Sequence, residues 1–366
     1  MIGAEMVATA VNLGFKVIGV GGPLMQEKGL SPLWDYYELP VSGVGDVVPK
    51  YFSLKNVFEV LSDAAESKKC LGIIAIDYPG FNMRLAALAK KWGKPMLYVA
   101  PPQVWAWKSK RAGVFKQASN IRLAVFFDIE AHAYKQMGCE TIRLKHPITN
   151  WVFDCVDPKS DMLLLPGSRR ASALRNLPSF VKVAEKYRNV WAERNMGPLP
   201  DVIVVASREH LEVPLLVALE KLYDGRLPSW LKVVVAPKGV SERLNFYSAY
   251  SAALTSFGTS TLEMACVGIP FAACIVPDFL TYAMGKLMVK SDYLSLPNAM
   301  FGCGVTPEFN IRHKLNDRMA ETIVDALFQQ DIGTADEIAL RLRKALDVGK
   351  TSSELVSEFL AQFLKR

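Results

Sequence analysis

A chain of 366 residues exceeds what one hydrophobic core normally organises, and with 51% hydrophobic and 22% charged residues it has the composition of a folded, two-domain protein rather than a disordered one. Its net charge of +7 sits in short basic groups beside glycines, prolines and tryptophans, which argues against a nucleic-acid stripe and favours small phosphorylated ligands. The most apolar stretch, residues 267–289, is broken by Pro270, Pro277, Asp278 and Lys286, and the six cysteines (Cys70, Cys139, Cys155, Cys266, Cys274, Cys303) show no CxxC pair or metal-ligand spacing, so a cytosolic, non-spanning protein with reduced thiols and no metal is expected.

Strand-length apolar runs occur at residues 17–20, 73–76, 96–100, 123–127 and 141–144, with helical periodicity between most of them. Near-continuous apolar strands of this kind belong to a parallel sheet covered on both faces. The pattern restarts at 162–165, 202–206, 233–236, 252–255 and 271–275, after a polar segment at 150–161 that contains Pro158 and reads as a linker. From about residue 334 onward the pattern is helical only. The predicted fold class is α/β: two doubly wound, Rossmann-like parallel-sheet domains whose strand carboxyl ends face a cleft.

The first string with chemistry in it is Ile76-Asp77-Tyr78-Pro79-Gly80-Phe81-Asn82, where a buried strand ends in a carboxylate. Asp77 stands where open α/β sheets place ligands, and is a candidate general base for an attacking hydroxyl. On position alone, an Asp that caps the following turn is the simpler alternative. Next, Pro101-Pro102-Gln103-Val104-Trp105-Ala106-Trp107-Lys108-Ser109-Lys110-Arg111 offers aromatic faces and cations together. Such a mix holds a phosphorylated sugar, or else buries its tryptophans and solvates its lysines. In Leu165-Pro166-Gly167-Ser168-Arg169-Arg170, backbone N–H groups beside an arginine fork suit a diphosphate, without the Gly-Lys-Ser/Thr ending of a Walker loop. Finally, Gly258-Thr259-Ser260-Thr261-Leu262-Glu263 runs from a strand through a small-residue turn into a short helix that Gly268 and Pro270 end. Its N–H groups and positive end suit a nucleotide, with Glu263 placed for the ribose hydroxyls, while Ser260 and Glu263 also have capping-box spacing. A donor domain and an acceptor domain follow, with leaving-group charge met by arginine and helix N-termini in place of a divalent ion.

These strings, in this order, together with Gly19 to Gly29 and Val289-Lys290-Ser291-Asp292-Tyr293-Leu294-Ser295-Leu296-Pro297-Asn298, resemble the lipid-A-disaccharide synthase family along nearly the whole chain. Trp105-Ala106-Trp107 and Ser295-Leu296-Pro297-Asn298 are its more specific marks. The resemblance implies a glycosyltransferase B fold. It also implies transfer of 2,3-diacylglucosamine from UDP to 2,3-diacylglucosamine 1-phosphate (lipid X), forming the β-1,6 disaccharide 1-phosphate with inversion and release of UDP, and without a cofactor. Carried over by position, Asp77 is the candidate base, and Gly167, Ser168 and Arg169 take the diphosphate. Gly258, Thr259, Ser260 and Glu263 hold the nucleotide, and Asn298 lines the same site. Trp105, Trp107, Lys108, Arg111 and His146 fall on the acceptor side. The implied division is an acceptor-binding domain at 1–155, a UDP-sugar-binding domain at 156–335 and a helical segment at 336–366.

Two acylated substrates further imply peripheral contact with the inner face of the cytoplasmic membrane. Tyr51, Leu54, Phe58 and Leu61, spaced roughly as a helical stripe beside Lys50 and Lys55, would suit that contact, although core packing gives the same stripe. No nucleic-acid partner is expected, and a homo-oligomer is left open.

The sequence departs from the family pattern in places. The family's opening strand and its Gly-Glu-x-Ser-Gly-Asp loop have no counterpart, because Met1 to Ala4 already aligns with the helix after them, so the first domain is expected to lack that strand. Lys145 precedes His146 where the family has Gly, Asn150 replaces an Asp, Ser172 a Glu and Asn310 a Gln. Two other functions compete. A UDP-sugar 2-epimerase of the same fold would need more cleft histidines than His132, His146, His210 and His313 supply. A catalytically impaired paralogue would bind UDP-sugar or membrane without turnover.

Overall fold

The computed structural model describes residues 2–36, 47–105, 113–152, 159–277, 292–311 and 315–364. They divide into two compact units: Met1–Thr149 with Leu346–Arg366, and Asn150–Ala345.

The first unit opens with helix α1 (Ile2–Asn12), strand β1 (Val17–Gly19), helix α2 (Pro23–Glu27), strand β2 (Leu30–Pro32) and helix α3 (Val47–Glu66). It continues with β3 (Ile73–Ile76), α4 (Pro79–Trp92), β4 (Met96–Val99), β5 (Ile121–Val125), α5 (Asp128–Gln136) and β6 (Thr141–Arg143). Every described strand pair is parallel, arranged as a β1-β2 pair and a separate sheet in the order β3-β4-β5-β6. Met96, Leu97, Tyr98 and Val99 are all fully buried, as a strand with helices on both faces requires. The helical tail read as one segment from residue 336 is shared between the units. Its last helix (Ser352–Leu364, numbered α13 below) belongs to the first, because its apolar stripe of Leu355, Val356, Phe359 and Leu360 is buried there and it packs on α1.

The second unit carries β7 (Lys159–Leu165), α6 (Arg170–Glu193), β8 (Val202–Ala206), α7 (Glu209–Leu222), β9 (Leu231–Val235), α8 (Val240–Ser248) and β10 (Tyr250–Thr255). After these come α9 (Thr259–Val267), β11 (Phe271–Ile275), α10 (Leu296–Phe301), β12 (Glu308–Asn310), α11 (Asp317–Phe328) and α12 (Ile332–Leu346). Its six strands form one parallel sheet in the order β12-β11-β10-β7-β8-β9. Fully buried Leu163, Leu164, Ala253 and Leu254 put β7 and β10 at its centre, each large side chain contributing about 1.5–3 kcal/mol by burial. Strands β2 and β12 escaped the sequence pattern because Leu-Ser-Pro and Glu-Phe-Asn are too short and too polar to show a period.

Candidate active site

In the first unit the described candidates Asp77, Trp105 and His146 follow the carboxyl ends of β3, β4 and β6. Beyond the last β3–β4 pair, Ile76 with Val99, the Asp77 N–H still donates to Val99 O at 2.8 Å. There the chain turns sharply: Asp77 and Tyr78 both have φ +48°, and Ala100, just past β4, has φ +51°. Half of the six non-glycine residues with positive φ among the described residues thus crowd one edge of one sheet. Each left-handed residue costs about 1–3 kcal/mol and persists only where its surroundings enforce it. Asn82 and Tyr98 are those surroundings. Asn82 Nδ2 donates to Ile76 O at 3.2 Å and to Asp77 O at 2.7 Å, and Tyr98 Oη donates to Asp77 O at 3.1 Å.

The Asp77 side chain is exposed, and its carboxylate makes no hydrogen bond to a described residue. Helix α4 begins after Tyr78 with no side-chain cap, so turn capping is not what this carboxylate does.

Two titratable groups follow β5 and β6, Glu130 buried and His146 half-buried. Glu130, 3% exposed on α5, accepts the N–H groups of Phe126 at 3.0 Å and Phe127 at 3.2 Å. Burial pushes its carboxyl up to about 7 against those two bonds and Arg143, and the Asp77 charge adds to the push. His146 is stacked on Phe127 and meets Phe126 edge-on, with ring centroids 5.8 and 5.2 Å away. Burial pulls its pKa down to about 4, so the ring is neutral at pH 7. Its Nδ1 accepts from Ile148 N at 3.2 Å, which assigns the ring proton to Nε2. Trp105 packs against the core of this unit, and its buried indole N–H has no partner among the described residues. Tyr134 Oη fixes the proline exit before it by donating to Pro102 O at 2.9 Å.

In the second unit, neighbouring strands bring two distant strings together. Leu165 on β7 lies beside Thr255 on β10, and one residue on, Ser256 N donates to Leu165 O at 2.9 Å. The loop after β7 enters α6 with Arg169 as N-cap, and the loop after β10 enters α9 with Gly258 as N-cap, neither with a side-chain cap. Two helix N-termini at adjacent strand ends are thus left without side-chain caps, an arrangement whose backbone N–H groups suit an anion. The turns need glycine, since Gly167 has φ +134° and Gly258 φ +144°. Ser168, Arg169, Gly258 and Thr259 are exposed around it.

Behind this surface, fully buried Asn176 donates from Nδ2 to Pro166 O at 2.7 Å and accepts from Val276 N at 3.0 Å, tying the arginine loop to the end of β11. Glu263 is 9% exposed, and Arg243 grips its Oε1 through Nη2 at 2.6 Å and Nε at 3.2 Å. The other oxygen makes no hydrogen bond to a described residue.

The expected residues therefore take different places. Gly167, Ser168, Arg169, Gly258, Thr259, Ser260 and Glu263 come together around adjacent strand ends. The capping-box alternative is overturned, because Ser260 lies inside the first turn of α9, accepting from Thr255 Oγ1 at 2.8 Å, and Glu263 turns to Arg243. Asn298 is 1% exposed, and its amide is occupied by protein groups: Thr306 O and Glu308 Oε1 accept from it, Val305 N and Thr306 N donate to it. Its side chain folds its own segment and offers nothing further to a nucleotide. Trp107, Lys108 and Arg111 lie outside the described residues, as do the side chains of Lys50 and Tyr51. Phe58 of the α3 stripe packs edge-on against Phe81 with centroids 5.2 Å apart, which is the core-packing alternative for that side chain. No helix among the described residues is long and apolar enough to cross a membrane.

Asn82, Glu130, Asn176 and Arg243 carry no role in the sequence-level assignment. Asn176 alone had a legible signal, a polar residue set among the core-facing Ala173, Leu177 and Phe180.

Comparison with known proteins follows this geometry. The family model for Lipid-A-disaccharide synthetase matches residues 2–353. The lipid-A-disaccharide synthase of Anaeromyxobacter dehalogenans is 29% identical over 345 residues, covering 90% of this chain and 84% of that protein. The synthase of Geobacter sulfurreducens is 29% identical over 340 residues, covering 88% and 83%. Among solved structures, the Methanocaldococcus jannaschii UDP-GlcNAc 2-epimerase in complex with UDP-GlcNAc and UDP superposes with a TM-score of 0.57 at 13% identity, covering 99% of this chain and 96% of that one. At that identity the likeness speaks for the fold alone. The expected class, parallel α/β units of the glycosyltransferase B type, is the one observed.

Proposed function

Because the chain belongs to the lipid-A-disaccharide synthetase family, and is therefore a hexosyltransferase of lipid A biosynthesis, we propose that it transfers 2,3-diacylglucosamine from UDP to 2,3-diacylglucosamine 1-phosphate. The observation that carries the donor half is the pair of uncapped helix N-termini at the ends of β7 and β10, with Arg169 beside them. They receive the diphosphate and stabilise its charge as the bond from C1 to the β-phosphate breaks. Oε2 of Glu263, left open by Arg243, accepts from the ribose hydroxyls.

Asp77 takes the proton of the attacking acceptor hydroxyl. The new glycosidic bond forms on the face of C1 opposite the leaving UDP, which inverts an α-linked donor to a β-linked product. Neutral His146 offers its Nε2–H on the acceptor side. Since both substrates are acylated, the enzyme works in peripheral contact with the inner face of the cytoplasmic membrane.

The test is to supply the UDP-linked and 1-phosphorylated diacylglucosamines in mixed micelles, then follow UDP release and the disaccharide by mass spectrometry. Equimolar UDP and disaccharide support the proposal. UDP binding without product would turn the assignment to a non-catalytic paralogue, and 2-epimerisation of UDP-GlcNAc would turn it to an epimerase.

A further inference from the structure

Both carbonyls of the turn after β3 are held by one side chain. Asn82, on the first turn of α4, spans Ile76 O and Asp77 O with a single amide nitrogen, and Tyr98 reaches Asp77 O from the adjacent strand. The peptide group they grip joins two left-handed residues, Asp77 and Tyr78, and neither is glycine. Glycine would adopt that backbone freely, whereas side chains at φ +48° resist it. If the Asp77 carbonyl were released, the turn would relax toward negative φ. The carboxylate attached to the same Cα would then swing away, because the side-chain direction follows the backbone.

We infer that Asn82, assisted by Tyr98, is a positioning residue that holds the strained turn at residues 77–78 and so aims the Asp77 carboxylate at the acceptor hydroxyl. The inference rests on the assignment of Asp77 as base. Asn82 touches no substrate in this scheme. It acts through the backbone, so its removal lowers kcat while leaving the donor site of the second unit intact.

The same mechanism dictates an unusual rescue. A glycine at position 78 removes the side chain that resists the left-handed backbone, and so makes the clamp dispensable. Tyr78 is available for such a change, since it is exposed and, among the described residues, its ring stacks on Phe81 alone, with centroids 6.0 Å apart.

The experiment measures kcat, KM for the acceptor, UDP affinity by calorimetry and melting temperature for four variants of the full chain. Asn82→Ala should lose about 10²-fold in kcat, the scale of a misplacement of about 1 Å, with UDP affinity unchanged. Asn82→Asp, which keeps the shape but turns the donor into an acceptor facing two carbonyls, should lose at least as much. Asn82→Ala with Tyr78→Gly should recover most of the lost kcat. Should Asn82→Ala fail to fold, Tyr98→Phe removes one donor conservatively and should lower kcat several-fold on its own. Normal kcat in Asn82→Ala, or a folded double variant that recovers nothing, overturns the clamp. Asp77→Asn measured alongside keeps the two claims apart. If it is active, the base assignment fails; if it is inactive while Asn82→Ala is normal, only the clamp fails.

Discussion

The two units prepare their strand ends in opposite ways. In the second, the loops after β7 and β10 run directly into helices without side-chain caps, and glycines with positive φ make the turns at little conformational cost. In the first, the turn after β3 uses Asp77 and Tyr78 in the same left-handed region, held by Asn82 and Tyr98, with the charge of Asp77 felt by buried Glu130. Binding a diphosphate needs only fixed N–H dipoles, which a relaxed glycine turn presents well. Moving a proton needs one carboxylate held in one direction, which a strained and clamped turn presents better. Under the proposed function, recognition falls to backbone in the second unit and chemistry to side chains in the first.

The sharpest way to separate the two is by pH. His146, with a folded pKa of about 4 against an ordinary 6.5, binds more protons in the unfolded chain, so its contribution to stability rises with pH between 4 and 6.5. Glu130, with a folded value of about 7 against 4.5, binds more protons in the native state, so its contribution falls as pH rises from 4.5 to 7. Across the shared window the two slopes largely cancel. His146→Gln should therefore expose a stability that falls with pH, and Glu130→Gln one that rises, each by up to about 3 kcal/mol. Urea midpoints of the first unit across that window read the slopes, while UDP binding in the second unit stays level. Two variants with identical pH profiles would dissolve the contrast.

On the donor side, Arg169→Ala should weaken UDP binding by about 1.5–3 kcal/mol in calorimetry, with no change in the melting of the first unit. An unchanged affinity would move the diphosphate to Arg170, the next exposed cation. A smaller effect is expected at Ser260, whose hydroxyl accepts from Thr255 and donates to Ser256 O at 3.0 Å. Ser260→Ala should destabilise that turn by about 0.5–1.5 kcal/mol and weaken UDP only in proportion. A loss of UDP affinity larger than the loss of stability would mean the hydroxyl contacts the ligand directly.

The strand and loop framework behind this contrast is legible in the sequence. Strands β1, β3 to β11 and the arginine and glycine loops could be placed because apolar period and small-residue turns are local properties of the chain. The capping-box alternative for Ser260 and Glu263 fails for a reason that spacing does not show: the S-x-x-E pattern is present, but the N-cap is Gly258, and Arg243 takes the Glu263 carboxylate from a helix upstream. Long-range partners leave no such trace. Asn82 reads as one more helical residue until Asp77 is seen in a left-handed conformation above it, and Asn298 reads as a cleft residue until its amide is seen saturated by the segment around Thr306. Glu130 shows nothing of its raised pKa in sequence, because that comes from burial in the folded unit.

The central claim is that Asp77 performs the chemistry while the second unit alone holds the nucleotide, and Asp77→Asn tests it most directly. Asparagine is isosteric and tolerates positive φ, so the turn should survive the change. Turnover with acylated donor and acceptor should fall by about 10²- to 10⁴-fold, while UDP affinity and melting temperature remain those of the wild type. Turnover at the normal rate, or a loss of UDP affinity that parallels the loss of rate, would contradict the account.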